Sequence, residues 1–317
     1  MLSVSNPVMR LTRVGDDAKP QGRRILITVA IHGNEQCGLV AVNQLLSSGE
    51  LSVSTACRGE VSEVVFVLGN PRAVEADVRF CNENLNRIFM EGADVVEVDS
   101  KIYERTLTPG IADEIDKASW YMDIHSTSAS SPSFCIPASS GTSSKVAECL
   151  PVEFVLEELI NSLQGTTLHW AMRDKTKVAM VVECGQHKDP ASVTTAKRVI
   201  LQFLSLASKK KVGDPTSQEK SNKRILVCRE RQELRSGFHF INCGKTPHAF
   251  QRVGYKELIA KDDFGDIICH YPEGAYLIMP TAHYVIGEEA WFWGVEAEDA
   301  DENKSYQFQS PKKVGSL

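Results

Sequence analysis

The sequence predicts an α/β protein: a mixed, mostly parallel central sheet with helices on both faces, followed by a small C-terminal β-rich domain. Three observations lead there. Strand-like and helix-like segments alternate through residues 23–208. The strand-like segments are continuous apolar runs, as expected where both faces of a sheet are covered. Composition then breaks at 208–223, SKKKVGDPTSQEKSNK, a polar stretch rich in charge and turn formers. These features divide the chain into a main domain over 1–210, an exposed linker over 211–223, a β domain over 224–298 and a polar, frayed tail over 299–317.

Taken in order, RRILITVAI (23–31) reads as a buried strand and the apolar-periodic segment 36–47 as a helix. EVVFVLGN (63–70), WYMDIH (120–125), SFCIP (133–137) and VAMVVECG (178–185) read as further strands. Segments near 103–118, 143–149, 152–163 and 190–208 read as helices or helix-like connections. Beyond the linker, RILVCRE (224–230), IICHYP (267–272), AYLIMP (275–280) and HYVI (283–286) read as short strands between Gly and Pro turns. No internal repeat and no low-complexity segment is visible.

Bulk composition excludes several classes. The 317 residues are 42% hydrophobic and 24% charged, enough for a substantial core. Lys and Arg total 35 against 41 Asp and Glu, a net charge of −6, with no long basic stripe for nucleic acid. The longest clean apolar stretches are strand-length, too short to span a membrane. The nine cysteines show neither a two-residue ligand gap nor a disulfide framework and read as reduced thiols. With no apolar leader in MLSVSNPVMRLTRVGDDAKP, the expected location is cytoplasmic.

Chemistry concentrates where strands end. His32, Asn70, His125 and Glu183 each follow on an expected strand. Ligands of open parallel sheets bind just outside those carboxyl ends. His32-Gly33-Asn34-Glu35 puts an imidazole and a carboxylate on one tight turn, where both can face a cation; Gly33 allows the sharp turn. The same four residues also suit a helix start capped by Asn34 and Glu35. His125, in Asp-Ile-His-Ser-Thr, offers a third ligand, and catalytic zinc usually has three protein ligands and an open position. Asp123 shares its side of the strand and suits a partner that orients the imidazole. A structural histidine with a satisfied hydrogen bond is the alternative.

Glu183 ends an apolar strand, where a carboxylate is costly unless paired or used. It suits a general base whose pKa burial raises toward neutrality; an ion pair with an arginine is the alternative. Arg79 and Arg87 lie among Asn-Pro-Arg-Ala (70–73) and Asn-Leu-Asn-Arg-Ile-Phe (84–89), and Arg173 lies ten residues before Glu183. Arginines hold carboxylates bidentately, although any single one is commonly a solvated surface charge.

The ordered set HGNE, NPRAV, RFCNENLNRIF, DIHST and VVECG resembles the succinylglutamate desuccinylase/aspartoacylase family, within the zinc carboxypeptidase-like superfamily. The resemblance spans about 24–210 and extends more loosely to about 293. It implies a zinc hydrolase catalytic domain over 1–210 and a C-terminal β domain that narrows the site. It further implies one zinc ion on His32, Glu35 and His125, with Glu183 activating the attacking water. By the same resemblance Arg79 is expected to polarise the scissile carbonyl, Asn86 and Arg87 to bind the substrate's side-chain carboxylate, and Arg173 to hold its α-carboxylate. The implied activity is hydrolysis of the acyl amide of a small anionic N-acyl amino acid, N-acetylaspartate-like or N-succinylglutamate-like.

Two departures stand out. Where aspartoacylases carry a tyrosine before the last arginine, this chain has His169. Where they place a late substrate-binding tyrosine, it has Glu288-Glu289-Ala290-Trp291-Phe292-Trp293. The aromatic run suits packed core, pocket wall or the face of a homo-oligomer. Two other activities remain open from sequence: a zinc carboxypeptidase acting on peptides, and a silent relative that binds a metal or metabolite without turnover.

Overall fold

The structure, a computed structural model, describes residues 1–13, 22–90, 101–139, 141–159, 164–213, 223–242, 244–281 and 284–299. Its centre is four parallel strands: β2 (Arg23–Val29), β3 (Val61–Leu68), β4 (Trp120–Thr127) and β7 (Val178–Gln186). They belong to one eleven-stranded sheet in the order β1-β3-β2-β4-β7-β5-β6-β8-β14-β13-β10. The added members are β1 (Val8–Thr12), β5 (Phe134–Pro137), β6 (Phe154–Glu157), β8 (Arg224–Glu233), β10 (Gln251–Val253), β13 (Ala275–Ile278) and β14 (Glu289–Glu296). β1 runs antiparallel to β3, and β5 antiparallel to β7, so the sheet is mixed.

The continuous apolar runs have a direct cause: each central strand is buried on both faces. Ile25, Ile27 and Val29 of β2, Met122 and Ile124 of β4, and Met180 and Val182 of β7 join one core. It is closed by α1 (Cys37–Ser48), α2 (Val53–Ala56), α5 (Thr142–Cys149) and α7 (Pro190–Ala207). Their alternates Leu26, Tyr121, Ala179 and Val181 join a second core under α4 (Tyr103–Lys117) and α6 (Thr167–Ala171). Full burial of each such side chain contributes about 1.5–3 kcal/mol. Among the described residues no helix is long and apolar enough to cross a membrane.

Local sequence sets the helix ends. Asn70 caps α3 (Pro71–Glu75), its Oδ1 accepting from Ala73 N, with Pro71 in the first turn. Asp189 and Pro190 repeat the arrangement at α7. Gly49 closes α1 in the left-handed conformation at φ 78°.

Three expectations are corrected. Residues 152–163 were expected as a helix or helix-like connection, but Phe154–Glu157 is β6, bonded to both β5 and β8; 160–163 lie outside the described residues. Two ladders override the helical spacing of a short apolar run. HYVI is not a strand: Tyr284, Val285 and Ile286 form an exposed turn, with His283 outside the described residues. The strand instead comes next, as β14, whose Trp291, Phe292 and Trp293 are all buried. IICHYP is strand only as far as Ile268, in β12 (Gly265–Ile268).

The strands beyond residue 223 extend the main sheet edge to edge through β6 and β8. A separate three-stranded sheet of β9 (His239–Phe240), β11 (Leu258–Asp262) and β12 packs over a third core containing Trp291 and Trp293. Most of the linker, 214–222, and the tail from 300 lie outside the described residues.

Candidate active site

β2 ends at Val29, and the chain leaves it through Ala30, held at φ 51°. His32 and Glu35 follow on a tight turn in which Glu35 N donates to His32 O at 3.1 Å. Gly33 is essential there for a reason other than the expected one. Its φ is not positive, but a Cβ would sit 2.1 Å from the Ala73 carbonyl carbon and 2.4 Å from its oxygen. Close approach to the backbone of α3 therefore excludes any side chain. Neither Asn34 nor Glu35 caps α1; its cap position is Gln36, with no side-chain bond.

His125 and Glu183 lie within their strands, at directly paired positions of the parallel β4–β7 ladder. Both side chains therefore leave the sheet on the α4/α6 face, as does Asp123. The structure brings His32, Glu35 and His125 together: one ligand atom from each lies within 4.8 Å of the others, and all three side chains are buried. Glu35 Oε1 is 2.9 Å from His32 Nδ1, and Oε2 is 2.7 Å from His125 Nδ1. Each imidazole turns its other nitrogen to a fixed acceptor. His32 Nε2 lies 3.0 Å from Asn84 Oδ1, and His125 Nε2 lies 2.9 Å from Asp123 Oδ2. Two Nδ1 atoms and one carboxylate facing inward, with both Nε2 atoms anchored outward, are a donor set that fits a zinc ion.

The electrostatics follow from this packing. Burial opposes charge on Glu35, yet His32 and His125 hold its carboxyl well below the usual range. Burial likewise opposes charge on His125, but Asp123 and Glu35 push its imidazole well above the ordinary value. His32 moves the other way, because burial outweighs the help of Glu35. Burial pushes Glu183 up to about 7; His125 opposes the rise and Glu35 adds to it. Glu183 Oε2 is buried with no hydrogen-bond partner.

These groups open onto a cavity of 470 Å³. Its wall includes Arg79, Asn86 and Arg87 from the loop between α3 and α4. Arg79 Nη1 donates to Glu35 Oε1 at 2.9 Å. Asn86 Oδ1 is already engaged, accepting from Thr167 N at 2.9 Å, so its amide nitrogen is the end left to face a ligand. The end of β4 and the segment after it, Ser126–Ser131, and the C-terminal part of the chain, with His248, Met279, Glu288, Glu289 and Phe292, add to the rim.

Two sequence candidates lie elsewhere. Arg173 does not line the cavity; it is exposed before the amino end of β7, its guanidinium 3.6 Å from the Trp170 ring centre. Glu183 is near the opposite end of that strand, so closeness in sequence places the two at different edges of the sheet. Asn70 is spent on capping α3 and on Glu104, to which its Nδ2 donates at 3.1 Å.

Other residues were not singled out from sequence. Thr28 and Thr167 each donate to Asp123 at 2.7 Å. Asn84 anchors His32. Glu104, fully buried, accepts from Cys81 N, Asn82 N and Glu83 N and so holds the loop that carries Arg79. Only Asn84 had a sequence signal, its place in the Asn-Glu-Asn-Leu-Asn-Arg run.

Comparison with known proteins identifies relatives of the chain. Residues 21–207 match the model of the succinylglutamate desuccinylase/aspartoacylase catalytic domain. The succinylglutamate desuccinylase of Vibrio parahaemolyticus is 22% identical over 306 residues, covering 87% of this chain and 82% of that protein. A probable aspartoacylase of Prochlorococcus marinus is 29% identical over 171 residues, 51% of this chain and 52% of the relative. Among solved structures, the Vibrio parahaemolyticus enzyme superposes with a TM-score of 0.69 at 18% identity, covering 92% of this chain and 86% of the other. Murine aminoacylase 3 does so with 0.60 at 17%, covering 88% and 96%. With its catalytic-domain match spanning more than half its length, the chain belongs to the succinylglutamate desuccinylase/aspartoacylase family.

Proposed function

We propose that this family member, an amide hydrolase acting on N-acyl amino acids, holds one zinc ion on His32, Glu35 and His125 and uses Glu183 as its general base. The observation that carries the reading is the buried, unpartnered Glu183 Oε2, set across the ladder from His125 on the cavity wall. A carboxylate desolvated without a partner is destabilising unless chemistry uses it. Its pKa of about 7 matches a group that must both accept and return a proton near neutrality.

His32, Glu35 and His125 would hold the zinc ion, which would supply Lewis acidity beside the acyl carbonyl and the attacking water. The chain's own groups do the rest. Glu183 takes a proton from the attacking water as its oxygen bonds to the acyl carbon. It passes that proton to the amide nitrogen as the carbon–nitrogen bond breaks, leaving a carboxylic acid and a free amine. Arg79, at the cavity wall beside Glu35, donates to the carbonyl oxygen as charge gathers there. Arg87 and the amide nitrogen of Asn86 orient a substrate carboxylate.

The test is metal analysis together with an amine-release assay over N-acetyl, N-succinyl and longer N-acyl amino acids, on wild type and Glu183→Gln. Stoichiometric zinc in both proteins, with turnover only in wild type, supports the assignment. Equal activity of the two proteins removes Glu183 from the mechanism.

A further inference from the structure

Building on the deacylase reading, the charge lining the cavity bears on which amino acid it accepts. The sequence suggested three arginines around a dianionic substrate. Only Arg79 and Arg87 reach the cavity, and Arg79 is paired with Glu35. The rim also carries two carboxylates, Glu288 and Glu289, in the stretch where aspartoacylases place a tyrosine.

Glu289 faces the cavity because of a bulge. Glu289 and Phe292 both line it, although residues three apart on a regular strand point to opposite faces. The β14–β8 register slips between Glu289 and Trp291: Glu289 pairs with Glu233 and Trp291 with Gln232, so β14 holds one extra residue. That residue re-phases the strand and turns Glu289 to the side of Phe292, while Trp291 and Trp293 stay in the core behind. Both glutamates act on Arg87: its guanidinium loses hydration on the wall, Glu289 and Glu288 favour its charge and Arg79 opposes it. Among the described residues neither glutamate carboxylate is held in an ion pair. The same cavity holds the unpartnered Glu183 Oε2, which marks it as a ligand site independently of its rim.

We propose that the cavity selects N-acyl amino acids whose side chain carries a cation, with Arg87 holding the single carboxylate and Glu288 and Glu289 receiving the side-chain ammonium. The negative charges of Glu288 and Glu289 would repel a second substrate carboxylate and attract a side-chain ammonium.

The experiment holds the acyl group constant and varies the side chain. N-acetyl derivatives of aspartate, glutamate, glutamine, 2,4-diaminobutyrate, ornithine and lysine (acetylated on the α-nitrogen) are compared by kcat/KM on the zinc-loaded enzyme. The same panel is titrated by calorimetry against Glu183→Gln, which reads affinity without turnover. A cationic side chain is expected to exceed aspartate and glutamate by at least tenfold in both measurements. Glu288→Gln/Glu289→Gln is expected to lower the ratio of cationic to glutamine substrate about tenfold, a ratio that partial misfolding does not change. Preference for the acidic substrates, or an unchanged ratio in the double variant, overturns the proposal. Absence of turnover with zinc bound counts against the deacylase reading instead, and the calorimetric ranking still decides the charge preference.

Discussion

Glu183 and His125 occupy paired positions on adjacent parallel strands, so the proposed base and a proposed metal ligand project side by side from one face of the sheet. The ladder fixes their relation without a hydrogen bond between them. Glu183→Gln keeps the shape and removes the basicity. Activity is expected to fall by about 10²–10⁴-fold with zinc content unchanged, read by single-turnover kinetics and metal analysis.

The same carboxylate is expected to make metal-free protein pH-sensitive. Its pKa of about 7 when folded lies above the ordinary 4.5, so the folded state binds the proton more tightly. Below pH 4.5 both states are protonated and the site costs nothing. As pH rises from 4.5 to 7 the unfolded state ionises first, and stability falls until the full penalty is present above 7. With a shift of this size the penalty is about 3 kcal/mol. Metal-stripped Glu183→Gln is therefore expected to be more stable than wild type at pH 8 and equal to it near pH 4. Denaturant titrations at the two pH values decide it, and a difference that grows on acidification would count against the assignment.

Asp123 Oδ2 accepts from both His125 and Thr167, and Thr167 N in turn holds Asn86 Oδ1. One chain of hydrogen bonds thus joins a proposed metal ligand to the loop that carries Arg87. Asp123→Asn is expected to weaken zinc binding about 10–100-fold, measured against a competing chelator. Thr167→Val removes one bond to Asp123 and is expected to cost about 1 kcal/mol of stability. It should also raise KM, because the neighbouring backbone positions Asn86.

Gly33→Ala places a methyl group 2.1 Å from the carbonyl carbon of Ala73. Backbone has no rotamer with which to yield, so α3 must shift. The expected loss is about 1–3 kcal/mol. Activity should fall with it, since Gly33 N donates to Arg79 O at 3.1 Å. Thermal melts and kcat/KM read the two effects.

Arg173→Ala tests the role in holding the substrate's α-carboxylate that the resemblance implies for this residue. The side chain stacks on Trp170 away from the cavity. KM is expected to change by less than about twofold, a surface substitution being worth within about 0.5 kcal/mol. A tenfold rise in KM would return Arg173 to the substrate.

The sequence alone determined the α/β class and the central strands, which rest on local pattern, and pointed to His32, Glu35 and His125; the meeting of His125 with the other two is a contact between distant segments. Apolar runs follow from burial on both faces. His32 and Glu35 share one turn, and the two-residue period of β4 sets Asp123 on the side of His125. What tertiary structure alone decided lies in contacts between distant segments. Two ladders made residues 154–157 a strand, and the approach of α3 gave Gly33 its role. Strand length carried Arg173 to the far edge, and a bulge that no residue pattern announces turned Glu289 into the cavity. Periodicity records which face a residue takes within its own element; which other element covers that face is fixed only when the chain packs.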